Sequence, residues 1–271
     1  MNKHHLIANI KAKKSFLCVG LDPVKEKVPV HLHAHKDWIF EFNKQVINAV
    51  AEHCVAFKPN TAFYECYGSW GWEQLEKTAR YLRETHPDQF LIADAKRGDI
   101  GNTSTMYAKA FFEQMDFDAV TVAPYMGEDS VKPFLEFKDK WVILLALTSN
   151  KGAQDFQYHG VPTLHEKVIG TARKWADEDS LMFVAGATRG EDLADLRKAA
   201  GNHFLLVPGV GAQGGTLQEV WKYAGNKDEV SLLVNSSRGI IYAGNGEDYA
   251  QAAKAEAKKI QEEMAVLLLK A

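Results

Sequence analysis

The chain has 271 residues, 46 % apolar and 25 % charged, a composition that excludes a disordered or collagen-like polypeptide and leaves enough apolar material for a sizeable core. Thirty-two Lys and Arg face 35 Asp and Glu, so the net charge of -3 offers no basic field to nucleic acid or to an anionic membrane. A small anionic ligand can still bind locally.

Cys18, Cys54 and Cys66 are too few and too scattered for a disulfide framework, and no C-x-x-C pair occurs. They fit a reducing compartment and, lying in apolar runs, are read as core packing. The opening segment, residues 1–10, lacks the apolar run of a signal peptide, and the longest apolar stretches, such as 141–147, are too short to cross a bilayer. The expectation is a cytoplasmic protein.

In chain order, short apolar runs at 16–23, 56–60, 90–94, 119–124, 141–148, 181–187, 203–208 and 230–235 read as strands. Most are continuously apolar rather than alternating, the mark of parallel strands covered by crossover helices. Amphipathic stretches at 37–53, 72–84, 102–114 and 247–268 supply such crossovers. No linker or composition break divides the chain. Eight alternating units in a chain near the usual barrel length of ~250 residues predict one (β/α)8 barrel domain over 1–271 rather than a doubly wound sheet. The absence of G-x-G-x-x-G after the first strand argues in the same direction.

Chemistry in such a barrel sits at the carboxyl ends of strands. Here those ends read Gly20-Leu21-Asp22-Pro23, Phe57-Lys58-Pro59-Asn60, Asp94-Ala95-Lys96-Arg97-Gly98-Asp99, Thr148-Ser149-Asn150, Pro208-Gly209-Val210-Gly211 and Asn235-Ser236-Ser237-Arg238-Gly239. Residues two apart on an extended chain share a side, which places Asp94 beside Lys96. Alone, D-x-K-x-x-D reads as a strand-end ion pair. With Lys58 at the neighbouring strand end, it becomes an alternating Lys58, Asp94, Lys96, Asp99 array, in which opposite neighbours keep Asp94 ionised and Lys96 protonated.

The segment 209–215 and the Ser237-Arg238-Gly239 turn read as a phosphate cradle, because glycine backbone approaches an anion closely and barrels frequently bind phosphate after strands seven and eight. The commoner meaning of glycine clusters alone is a plain turn. His31, His33 and His35 alternate, as at a surface metal site, but a solvated loop before the first long helix is the simpler reading. Trp70 and Trp72 are read as packing.

The run Asp94-x-Lys96-x-x-Asp99-Ile100-x-x-Thr103, with Lys58 before it and Pro208-Gly209-Val210-Gly211-Ala212-Gln213 after it, resembles orotidine 5'-phosphate decarboxylase over residues 18–239. The resemblance implies a dimeric barrel that converts orotidine 5'-monophosphate to uridine 5'-monophosphate and carbon dioxide without metal or organic cofactor. It makes Lys96 the proton donor to pyrimidine carbon 6, Asp94 the anion facing the departing carboxylate, and Lys58 the group that orients Asp94 and reaches the ribose. Asp99 and Thr103 would lean across the dimer interface into the partner's site, and Asp22 would hold a ribose hydroxyl. Ser149 would meet the pyrimidine amide edge, while Gln213, Arg238 and the amide of Gly239 would bind phosphate, the Gln213 loop acting as a lid.

Two departures stand out. Some relatives carry a Tyr in the closing phosphate loop, where this chain has Gly214-Gly215-Thr216, and the chain is longer than the compact members of the family. Metal-dependent sugar-phosphate decarboxylases and aldolases share D-x-K-x-x-D but place an acidic ligand near the position of Lys58, a choice that Lys58 opposes. A barrel that only binds a phosphorylated nucleotide is the other alternative.

Overall fold

The structure, a computed structural model, describes residues 1–186, 190–209, 215–226 and 229–269. Eight parallel strands close into a barrel in sequence order. They are β1 (Leu17–Gly20), β2 (Ala56–Lys58), β3 (Phe90–Arg97), β4 (Ala119–Val122), β5 (Trp141–Leu147), β6 (Leu181–Ala185), β7 (Leu205–Pro208) and β8 (Leu232–Ser236). The seam closes through β1 and β8, with Leu17 opposite Val234 and Val19 opposite Ser236. Every residue of β1, β2, β4 and β6 is buried, as the continuous apolar runs require of strands covered on both faces.

The expected helices are present with shifted bounds. The stretch 37–53 forms Trp38–Val50, which turns Trp38, Phe42, Val46 and Val50 to the core. The stretch 72–84 lies inside the longer helix Gly68–Thr85, and 102–114 divides into the helix Gly101–Lys109 and a π-turn over Ala110–Gln114. The last, 247–268, forms Tyr249–Leu269.

A helix the periodicity did not reveal, Lys3–Lys13, precedes the barrel. It buries only Leu6, Ile10 and Lys3, a stripe too narrow to stand out in a sequence. Its partners place it beneath the amino ends of the strands. Lys3 Nζ lies 2.8 Å from Glu178 and 2.7 Å from Glu229, just ahead of β6 and β8. Lys13 Nζ reaches Asp88 at 2.7 Å, ahead of β3, and the carbonyls of Ala51 and Cys54, ahead of β2. The helix thus closes the barrel floor and leaves the carboxyl ends free for chemistry.

β1 is shortened from the expected 16–23 to Leu17–Gly20, and the strand difference that bears on the site concerns β3. It runs to Arg97 rather than ending at Asp94, and its pairing with β4 is irregular between Ala93 and Arg97. Cys18 and Cys54 are buried, as expected of core packing, whereas Cys66 is exposed because it follows the one-turn helix Ala62–Glu65 on the surface. Trp70 and Trp72 pack against the core.

Candidate active site

The centre of the strand-end surface is built on β2 and β3. Asn60 bridges Asp94 in parallel register, and Lys58, two residues earlier on the same side, extends up to the same carboxylate. Lys58 Nζ lies 2.7 Å from Asp94 Oδ2, and Lys96 Nζ lies 2.6 Å from Asp94 Oδ1. The Thr121 hydroxyl on β4 also donates to Oδ1, at 3.1 Å. The sequence-derived alternation of charge is therefore present for three of its four members.

Burial divides their roles. The side chain of Lys58 is 7 % exposed and that of Asp94 10 %, whereas that of Lys96 is 49 % exposed. Lys58 is an internal fixture of the carboxylate, and Lys96 offers its ammonium to whatever enters the mouth. Burial alone would raise the Asp94 carboxyl, but the charges and hydrogen bonds of Lys58 and Lys96 outweigh it and hold Asp94 down at about 2. Burial works against protonated Lys58, yet the carboxylates of Asp94 and Asp22 overcome it and raise the ammonium above its ordinary value. At neutral pH the centre is a buried anion between two cations.

Lys96 holds a left-handed backbone, φ 47°, which non-glycine residues adopt at a cost. Its amide donates to the Thr121 hydroxyl at 2.8 Å instead of to a strand neighbour. Sequence reading missed Thr121, since a lone Thr in an apolar run carries no signal of its own.

Asp22, beyond β1, is fixed from three sides. Its Oδ1 accepts the Asn60 amide at 3.1 Å and its Oδ2 accepts the Ser237 hydroxyl at 2.6 Å. The Tyr242 hydroxyl donates to the Asp22 carbonyl at 2.8 Å and accepts the Val24 amide at 2.7 Å, while Tyr64 donates to the Leu21 carbonyl at 3.0 Å. The sequence offered Asn60 only as part of a strand end and Ser237 only as part of the phosphate turn, and it gave Tyr64 and Tyr242 no role, because the partners of all four lie far along the chain.

Asp22, Gly209, Thr216, Ser237, Arg238 and Gly239 line one cleft at the ends of β7, β8 and β1. Arg238 and Gly239 are exposed there, and Arg238 has no carboxylate partner among the described residues. Gly209 stands at φ 72°, a turn that a side chain would strain. This surface can receive an anion through an unspent guanidinium and backbone amides. Gln213, and with it the expected lid and the segment 210–214, lies outside the described residues.

The other expected residues stand apart. Ser149 follows β5, half-buried, with its backbone against Gly186: a Cβ on Gly186 would lie 2.5 Å from the Ser149 nitrogen. Asp99 does not meet Lys96 within this chain. Its Oδ1 accepts the amide of Ile100 at 2.7 Å, and the Ser104 hydroxyl ties down its carbonyl at 2.6 Å. Thr103 is exposed on the helix Gly101–Lys109. Beside them the apolar side chains of Ile100, Met106 and Tyr107 are exposed as well.

In the histidine tract His33 and His35 serve their own loop, whereas His31 faces the Tyr249 ring of the last helix, with ring centroids 6.2 Å apart. A His33 ring nitrogen lies 2.8 Å from the Val28 carbonyl, and His35 accepts the Asp37 amide at 3.1 Å. Among the described residues no group of three His, Cys, Asp or Glu side chains is placed to hold a metal ion. Nor is any helix among them long and apolar enough to cross a membrane.

Comparison with known proteins identifies the family. A family model described as "Orotidine 5'-phosphate decarboxylase / HUMPS family" matches residues 15–254. An orotidine 5'-phosphate decarboxylase of Bacteroides fragilis is 59 % identical over 268 residues, covering 98 % of this chain and 97 % of the relative. Among solved structures, the OMP decarboxylase of Leishmania donovani superposes with a TM-score of 0.86 at 34 % identity, covering all of both chains. The UMP synthase of Leishmania donovani matches with a TM-score of 0.86 at 35 % identity, and this chain spans 98 % of itself but 56 % of that longer protein. With residues 15–254 matched by the family model and relatives matching nearly its whole length, the chain belongs to the orotidine 5'-phosphate decarboxylase / HUMPS family.

Proposed function

We propose that residues 1–271 act as one catalytic unit that decarboxylates orotidine 5'-monophosphate to uridine 5'-monophosphate and carbon dioxide, without metal or organic cofactor, as a step of pyrimidine biosynthesis. The observation that carries the reading is the Lys58, Asp94, Lys96 array, with its outer ammonium half-exposed in the barrel mouth.

The chemistry follows from charge. Breaking the bond between carbon 6 and the carboxylate leaves its electron pair on a ring carbon that no carbonyl delocalises well. Lys96, already fixed by Asp94, stabilises that pair and then gives it a proton, while solvent returns a proton to Lys96. Asp94 faces the departing carboxylate, and Lys58 holds Asp94 and reaches the ribose. Asp22 takes a ribose hydroxyl and Ser149 the pyrimidine amide edge. Arg238, the amide of Gly239 and Gln213 hold the phosphate, whose binding energy orients the reacting ring.

The unit acts as a homodimer in which Asp99 and Thr103 serve the partner's site. That role is supported by the position of Asp99 away from Lys96 and by the exposed Ile100, Met106 and Tyr107 beside it. Its partners are the nucleotide and a second copy of itself, with no nucleic acid or membrane, and its three unpaired cysteines suit the cytoplasm.

Ultraviolet monitoring of orotidine monophosphate consumption tests the reading, with and without a chelator and with Lys96→Ala alongside. Turnover indifferent to the chelator and lost in Lys96→Ala is expected. Loss of activity on chelation would favour a metal-dependent sugar-phosphate enzyme, and nucleotide binding without carbon dioxide release would leave a binding barrel.

A further inference from the structure

β3 and β4 pair Ile92 with Ala119 and Ala93 with Val120, then resume at Arg97 with Val122. Between these points β3 spends three residues, Asp94, Ala95 and Lys96, where β4 spends one, Thr121. The surplus must leave the ladder, and it does so as a bulge with Lys96 in the left-handed region at φ 47°.

A bulge of this kind strands an amide, here that of Lys96. The Thr121 oxygen accepts it at 2.8 Å, and the Thr121 proton goes to Asp94 Oδ1 at 3.1 Å, the oxygen that also receives Lys96 Nζ at 2.6 Å. A hydroxyl has one proton to donate, and here it is already committed, so its orientation is settled from both sides. Thr121 is 1 % exposed and has no access to the mouth.

We infer that Thr121 is a positioning residue for the decarboxylation: its hydroxyl pins the β3 bulge so that the Asp94 carboxylate and the Lys96 ammonium keep one relative geometry, without itself touching the substrate. The inference rests on the proposed role of Lys96 as proton donor. A preorganised ammonium matters where negative charge develops and little where the phosphate and ribose are merely held. Loss of the hydroxyl therefore falls on kcat and spares KM.

Steady-state kinetics with orotidine monophosphate on Thr121→Val and Thr121→Ser, with Lys96→Ala as reference, test it. Losing a hydrogen bond to a charged group predicts that Thr121→Val lowers kcat about ten- to a hundredfold with KM within about threefold, and that Thr121→Ser returns kcat to within about threefold of the parent. A smaller loss in Thr121→Val, a loss carried mainly by KM, or a Thr121→Ser as impaired as Thr121→Val overturns the inference. Full activity of Lys96→Ala would instead overturn the reading beneath it. Should Thr121→Val fail to fold, as judged by its melting curve, Thr121→Ala carries the same comparison.

Discussion

Ser237 Oγ lies 2.6 Å from Asp22 Oδ2, a hydrogen bond that crosses the seam where β8 meets β1. It joins the turn that offers Arg238 and Gly239 to the carboxylate proposed to hold the ribose, so one bond ties the two ends of the cleft to which phosphate and sugar binding are proposed. The fit is close: a Cβ on Gly20 would fall 2.6 Å from Ser237 Cβ, which leaves that turn no room to slide.

Removing this bond should weaken substrate binding more than chemistry. Ser237→Ala leaves Asp22 Oδ2 without its donor, and a charge-assisted hydrogen bond contributes about 1.5–3 kcal/mol. We expect KM for orotidine monophosphate to rise about tenfold with kcat changed less, read from steady-state kinetics. An unchanged KM would show that Asp22 keeps its position without Ser237.

Lys58 and Asp94 should be strongly coupled in stability. Breaking a buried pair on one side leaves an uncompensated charge and costs about 3–5 kcal/mol. Lys58→Met should lower the free energy of unfolding toward that range, softened because Lys96 remains. The double variant Lys58→Met with Asp94→Asn should recover part of the loss. Denaturant titration of the full cycle measures the coupling, and strict additivity would contradict it.

Acid should expose the same carboxylate. Asp94 is held at about 2 in the folded chain against an ordinary 3.8, so its contribution to stability is complete above pH 3.8 and is lost as pH falls toward 2. At about 1.4 kcal/mol per pKa unit, that contribution is roughly 2 kcal/mol. Lys58 works in the opposite sense, since its raised value makes its contribution complete below 10.5 and lost only at more alkaline pH. Stability of Asp94→Asn should therefore fall less steeply than that of the parent between pH 4 and 2, as urea titrations at stepped pH would reveal.

Gly186 has no room for a methyl group. Its Cβ would meet the Ser149 nitrogen at 2.5 Å and the Thr148 carbonyl carbon at 2.7 Å, backbone atoms that cannot swing aside. Overpacking of this kind costs about 1–3 kcal/mol. Gly186→Ala should lower the melting temperature and, by displacing the Ser149 strand end, reduce turnover. Parent-like values of both would mean that the β5 and β6 ends separate freely.

Mixed dimers address Asp99. Lys96→Ala and Asp99→Ala are each expected to be inactive, but random exchange of their subunits places one intact site in each hybrid. With half the dimers hybrid and one site in two intact, activity should recover to about one quarter of the parent's. No recovery after verified exchange would assign Asp99 to its own chain's site.

Much of the architecture is local in origin. Eight short runs, most of them continuously apolar and separated by helix-length stretches, specify a parallel barrel because only strands covered on both faces tolerate such runs. The nearness of Asp94 and Lys96 follows from the two-residue period of a strand, and that of Lys58 from the pairing of successive strands. What sequence could not settle depends on groups far apart along the chain. The helix Lys3–Lys13 owes its place to carboxylates at 88, 178 and 229, not to a strong apolar stripe. Asp22 is held by a serine 215 positions away. Thr121 gains its meaning only because β3 outruns β4 and leaves an amide that must find a partner. Periodicity reports which face of an element is buried. Which hydroxyl meets which carboxylate is decided only when the barrel closes and unpaired polar groups must be satisfied.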